Sequence, residues 1–259
     1  MKLTMAILAS LLTVLGLRTA AQTPTFSDNL RTFDSKKWRV ATWKSANNIP
    51  GLNEGVYVPE TIDFSQGMLR IAVTQQYAPG SNSLVFSKGG CIWTYEKFGY
   101  GTYEFVMRES TTSPTPYGPG KTLTGAVSSA YIYLKNSESE MDLEFLGDKN
   151  HIFMSTWHNT NPQNPPVFST SKVTDEVTSK NRLGDDFHTY AIVWTPKSVV
   201  YLIDGRQVAK HTSHIPSAPA YIILQHRGTN SNLWGGRATV GVMRYTYIKS
   251  ASFTPLGAQ

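Results

Sequence analysis

The 259-residue sequence predicts an all-β fold, a sandwich of two antiparallel sheets, on three observations. Short runs rich in β-branched and aromatic residues recur along the chain, punctuated by Gly, Pro, Asn and Asp. No stretch of about 12 or more residues keeps a clean apolar period of 3.6, the mark of an amphipathic helix. The composition is 40% hydrophobic and 12% aromatic against 16% charged, enough apolar mass for one sizeable core. Taken in order, the strand signals begin with Leu69–Val73, carrying Ile71 and Val73, and Gly101–Arg108, carrying Tyr103 and Phe105. Ala126–Leu134, with two tyrosines, and Glu140–Leu146 follow. His188–Trp194 sets Tyr190, Ile192 and Trp194 on one side, which marks Trp194 as core. Val199–Ile203 and Arg206–Lys210 flank Asp204-Gly205, the clearest hairpin signal in the chain. Ala220–Gln225 and Val240–Ile248 complete the set. Three Pro- and Gly-containing stretches, Asn47–Gly55, Ser110–Lys121 and Asn159–Lys172, read as surface loops suited to line a groove.

Residues 1–21 read as a signal peptide. Lys2 starts the segment, Leu3–Leu17 is largely apolar, and Thr19-Ala20-Ala21 offers a small-residue cleavage site before Gln22. The apolar run is shorter than the roughly 20 residues that span a bilayer, so the expectation is secretion, extracellular or periplasmic, and no membrane partner. The formal charge is +6, with Lys2 and Arg18 inside that leader, and no cluster of Lys and Arg forms a phosphate footprint. Nucleic acid is therefore not an expected partner. Cys91 is the single cysteine, which rules out an intrachain disulfide. No interface feature is visible, and a monomer is expected.

The segment SESEMDLEFLG, residues 137–147, carries the chemistry. In a strand alternate residues share a face, so Glu140, Asp142 and Glu144 project together while Met141, Leu143 and Phe145 point the other way. Asp and Glu are disfavoured in strands, and no Lys or Arg within the segment offsets their repulsion. A solvated outer face is the plain explanation; a catalytic trio is the other. Four residues of strand separate the outer two backbones by roughly 13 Å. Two glutamates leaning inward bring their carboxyl groups to about 5–6 Å, near the spacing of retaining glycosidases, where one carboxylate attacks and the other donates a proton. Asp142 would stand between them to hold a shared proton, and crowding would raise at least one pKa. The pattern leaves open which glutamate attacks.

Glu140-Met141-Asp142-Leu143-Glu144-Phe145-Leu146-Gly147 resembles the E-x-D-x-E signature of family-16 glycoside hydrolases, in the form without a bulge found in lichenase-like endo-β-glucanases. Phe98-Gly99-Tyr100-Gly101-Thr102-Tyr103-Glu104, Gly125–Ser129, Phe187-His188-Thr189-Tyr190, Trp194, Asp204-Gly205 and Ile215-Pro216 resemble the family in order and spacing. The similarity runs from about Phe26 to Phe253. It implies a β-jelly-roll sandwich with a concave substrate groove, formed as one catalytic domain by residues 22–259. It also implies the roles: Glu140 as nucleophile, Asp142 as assisting carboxylate and Glu144 as general acid/base.

Sugar rings stack on aromatic faces, so the groove should be lined by aromatics. Tyr131 and Tyr133 share a parity and match a pair beside the lichenase catalytic strand. Trp157 falls on the next strand, where the family places sugar-contacting groups. Trp43 and Asn47 fall where lichenases carry a loop touching distal sugars. His226 and Arg227 replace a tryptophan usual after the strand ending at Gln225, with Trp234 further on. All are candidate substrate contacts. Glu138 stands where lichenases have a tryptophan, and a groove glutamate of theirs falls near Cys91. Thr246 stands where several relatives have a calcium-binding Asp, so no calcium or other cofactor is expected. His211 and His214 are three apart without a third ligand, and no metal site is expected there. The expected function is retaining endo-hydrolysis of β-1,3-1,4-glucan, or of β-1,3-glucan, with the polysaccharide as sole partner. A transglycosylase acting on β-glucan or xyloglucan, and a jelly roll that binds polysaccharide without cleaving it, are the alternatives.

Overall fold

Sixteen strands run through the described residues of the computed structural model, which are 24–45, 48–147, 151–178 and 183–257. The expected leader and Asn47 lie outside them. The first strands are β1 (Phe26–Asp28), β2 (Trp38–Val40), β3 (Asn53–Tyr57), β4 (Ile62–Asp63) and β5 (Leu69–Tyr77). Next come β6 (Val85–Thr94), β7 (Gly101–Thr111), β8 (Ala126–Leu134), β9 (Ser139–Leu146), β10 (His151–Trp157) and β11 (Lys172–Thr178). The chain closes with β12 (His188–Thr195), β13 (Ser198–Ile203), β14 (Arg206–His211), β15 (Tyr221–Gly228) and β16 (Arg244–Pro255). Among the described residues helix is confined to one α-turn, Phe168–Ser171, and two 3-10 turns, as the missing helical period foretells.

The strands form the predicted two-layer sandwich. One layer runs β11-β10-β9-β8-β15-β6, and the other β5-β16-β7-β12-β13-β14. Pairing is antiparallel except for β3, which lies parallel to β6. Alternation puts Met141, Leu143 and Phe145 of β9 between the layers, in one core with Phe105 and Met107 of β7 and Ile192 and Trp194 of β12. Burying each such side chain contributes about 1.5–3 kcal/mol, which anchors β9 by its apolar face and leaves its acidic face outward. Trp194 is core, as its parity predicts, and its indole donates to the Pro216 carbonyl at 3.0 Å. The Asp204-Gly205 turn has φ of 50° and 73°, the left-handed pair that a two-residue hairpin requires.

The layers are joined differently at their two margins. At one, β6 belongs to both: Val85–Lys88 pair with β5, and Gly90–Trp93 pair with β15. The crossing falls at Gly89-Gly90, where a Cβ on Gly89 would sit 2.3 Å from the His226 carbonyl oxygen. At the other margin β11 and β14 meet through side chains. His211 Nε2 lies 3.3 Å from Asp175, and its Nδ1 lies 2.7 Å from the Thr156 hydroxyl.

Candidate active site

The acidic face of β9 opens into a cavity of about 540 Å³ lined by Glu140, Asp142 and Glu144. Register across the sheet arranges it in rows. Tyr133, Glu140 and Trp157 stand side by side, then Tyr131, Asp142 and Ser155, then Ser129, Glu144 and Phe153. β15 adds Tyr221, Ile223, Gln225 and Arg227 on the same face, and β6 adds Cys91 and Trp93.

The carboxylates have different neighbours, which separates their chemistry. Glu140 accepts a hydrogen bond from the Ser137 hydroxyl and another from Asp142. Asp142 also accepts from the Trp157 indole at 3.2 Å. Burial pushes Asp142 well above the usual carboxylate range, reinforced by the charges of Glu140 and Glu144. Burial also raises Glu140, opposed by the Ser137 and Asp142 hydrogen bonds. A proton on Asp142 pointing at an ionised Glu140 is the arrangement these contacts favour. Glu144 instead pairs with Arg227, whose Nη2 donates to it at 2.6 Å. Lys172 is the further cation within electrostatic reach of all three carboxylates, and burial lowers its pKa.

The rest of the cavity is aromatic. Trp43 meets Tyr57 and Trp93 edge-on with ring centroids 6.5 and 6.1 Å apart, and Trp93 meets Tyr221 at 5.1 Å. Gln225 pins this wall by accepting from the Tyr57 hydroxyl at 2.6 Å and the Tyr131 hydroxyl at 3.3 Å. Cys91 lies in the floor, where burial lifts its thiol to about 12 and keeps it protonated.

The structure thus brings Glu140, Asp142, Glu144, Tyr131, Tyr133, Trp43 and Arg227 to one cavity, with Trp157 touching it through Asp142. Trp234 does not line it; its ring packs 4.6 Å from Phe153 on β10. His226 is a correction. Neighbours on a strand face opposite ways, so Arg227 in the cavity forces His226 into the core, where it is fully buried between Ile71 O and Ser110 Oγ, both at 3.0 Å. The same parity would have nominated Gln225 and Ile223, which the sequence reading passed over. Tyr57, Trp93, Tyr221 and Lys135 were also missed, and Trp93 shares the face of Cys91. Among the described residues no group of three or more His, Cys, Asp and Glu side chains converges to hold a metal ion. Thr246 is buried and its hydroxyl donates to the Arg108 carbonyl at 2.9 Å.

The family model of "Glycosyl hydrolases family 16" matches residues 53–246, three quarters of the chain and all of the cavity except Trp43. The chain belongs to that family. A family 16 relative from Acetivibrio thermocellus, a beta-glucanase, is 27% identical over 212 residues, covering 79% of this chain and 52% of that protein. The chain thus spans about half the length of that relative. The beta-glucanase of Bacillus subtilis is 28% identical over 235 residues, covering 88% of this chain and 81% of its own. Among solved structures, a prokaryotic beta-1,3-1,4-glucanase (lichenase) from a mouse hindgut metagenome superposes with a TM-score of 0.70 at 23% identity. It covers 89% of this chain and 99% of that one, and establishes the shared fold of the family 16 sandwich.

Proposed function

We propose that this family 16 protein is a secreted retaining endo-β-glucanase that cleaves mixed-linkage β-1,3-1,4-glucan. The observation that carries this reading is the gathering of three carboxylates from one face of β9 in a cavity walled by aromatic rings. Glu140 collects neutral O–H donors and Glu144 faces a cation. In the first step a Glu140 oxygen attacks the anomeric carbon as the glycosidic C–O bond breaks. A proton from Glu144 goes to the departing sugar oxygen, leaving a glycosyl ester on Glu140. In the second step ionised Glu144 takes a proton from water, whose oxygen attacks the anomeric carbon and frees Glu140. The Arg227 ion pair belongs to the ionised form of Glu144, the form the second step uses. Asp142 holds a proton against Glu140 and steadies its charge in the resting site. The aromatic wall of Trp43, Trp93, Tyr131, Tyr133 and Tyr221 would carry the sugar rings.

The named activities of the relatives support the β-glucan choice, and residues 1–21 support export. The test is to incubate the mature protein with barley β-glucan, laminarin and xyloglucan, sizing the products and following their anomeric configuration by NMR. Shortened barley glucan chains released with the β configuration are expected. Products longer than the input would replace hydrolysis by transglycosylation. Binding without cleavage of any substrate would make the protein a binding module. Glu140→Gln should lower kcat by about four orders of magnitude with an unchanged urea midpoint; near-normal turnover would remove Glu140 from its role.

A further inference from the structure

The chain enters the catalytic strand through an unusual turn. Asn136 and Ser137 are consecutive non-glycine residues with φ of 52° and 57°, in the left-handed region that L-residues rarely occupy. Such strain persists only where surroundings over-determine it, and it concentrates at functional sites. Here the surroundings are specific. The Asn136 N–H donates to the Tyr133 hydroxyl at 3.0 Å, and its side-chain amide donates to the Pro162 carbonyl at 2.8 Å. Asn159 returns two bonds of 2.8 Å, from its amide side chain to Asn136 O and from its backbone N–H to Ser137 O.

The geometry accounts for the strain. Residue 137 has the odd parity of Ser139, Met141 and Leu143, and an extended lead-in would aim it between the sheets. The left-handed pair breaks that parity and delivers the Ser137 hydroxyl to the opposite face, onto Glu140 Oε2. Glu140 Oε2 is thereby tethered. Ser137 itself is buried. We infer that Ser137 is a positioning residue for the nucleophile, its hydroxyl orienting Glu140 and favouring the charged form that attacks. The inference rests on the reading of Glu140 as nucleophile. Other groups act on Glu140 as well: Asp142 and Glu144 on its own strand, Tyr131 and Tyr133 on β8, Lys172 on β11, and Tyr201 behind the strand. Replacing Ser137 leaves all these side chains in the sequence, and of them Tyr133 is the one hydrogen-bonded to the turn itself.

Ser137→Ala and Ser137→Gly both delete the hydroxyl, but glycine also relieves the left-handed strain. Both should lower kcat on β-glucan by about 10- to 100-fold, the range for losing one hydrogen bond to a charged group. KM should change by no more than about twofold, and the acidic limb of kcat/KM should move to higher pH. If Ser137→Gly keeps wild-type kcat and pH profile, the turn serves the backbone alone and the inference is overturned. A second readout needs no substrate. The 13C carboxyl resonance of Glu140, assigned by its loss in Glu140→Gln, should titrate at higher pH in Ser137→Gly than in wild type. An unmoved titration overturns the inference. Absence of wild-type activity on every glucan, with the titration moved, would instead overturn the functional reading.

Discussion

Glu109 on β7 lies fully between the sheets, accepting a 2.5 Å hydrogen bond from Ser128. Burial pushes its carboxyl from 4.5 up to about 8, so the folded protein holds it neutral at pH 7. The unfolded chain would release that proton near 4.5, which sets the direction of the effect. Below that value both states are protonated and the contribution of Glu109 is fully present. As pH rises from there towards about 8 the unfolded state ionises alone, and stability falls by about 1.4 kcal/mol per pH unit, levelling off once the folded state ionises too. Glu109→Gln keeps the shape and removes the charge. Urea midpoints of wild type and variant should therefore diverge as pH rises from about 5 to 8, with the variant less sensitive. Parallel curves would mean that Glu109 ionises freely in the fold. Parity sets Glu109 on the face of Tyr103, Phe105 and Met107 and the surface Glu104 on the other, but the predicted strand stopped at Arg108 and so left Glu109 out. By contrast, the three carboxylates of β9 were legible because parity and apolar neighbours put them together without knowledge of any other strand. Ser137 was not, since the same parity rule assigns it to the core and only a backbone outlier carries it out.

At the scale of the element, the strands that the sequence reveals are mostly those with an apolar face turned into the sandwich, and β14 at the margin is legible through its hairpin turn. Val85–Thr94 escaped, although it is 10 residues long, because Lys88-Gly89-Gly90 interrupts it with residue types depleted in strands. Those glycines are what the strand needs to pass from one layer to the other. At Gly89 the obstacle to a side chain is backbone, the His226 carbonyl, which has nowhere to retreat within β15. Gly89→Ala should cost about 1–3 kcal/mol or more in urea unfolding and leave Tyr and Trp near-UV signals perturbed. A neutral result would show that β6 can shift against β15. β11, which carries no strand signal and begins at Lys172 where the predicted loop ends, is a polar strand at the sheet margin, and its Lys172, Asp175 and Glu176 suit an edge that must resist pairing. Val240–Ile248 was read too early: Gly241, at φ 78°, precedes the strand, which starts at Arg244 and runs on to Pro255 through Ser250 and Ser252. Their small polar side chains carry no strand signal, and β7 supplies the pairing.

At the scale of the molecule, the two layers resemble a book. The spine is a single strand threaded through both covers and held by main-chain bonds, and the fore-edge is fastened through side chains, His211 with Asp175 and Thr156 and Tyr201 with Thr156 and the Ser155 carbonyl. Such a body opens unevenly. Amide exchange should be fastest in β11 and β14 and slowest in β5, β6 and β15, and His211→Gln should hasten the former pair and leave the latter unchanged. Uniform acceleration would show that the fastening is not local. Counting inward from the fore-edge, the strand bearing the carboxylates is the third leaf, while the aromatic wall stands beside the spine. On the proposed reading, the cavity is sewn on the side that would grip the sugars and latched on the side that would break the bond, so a long polymer pressing on the latter would keep its hold on the former.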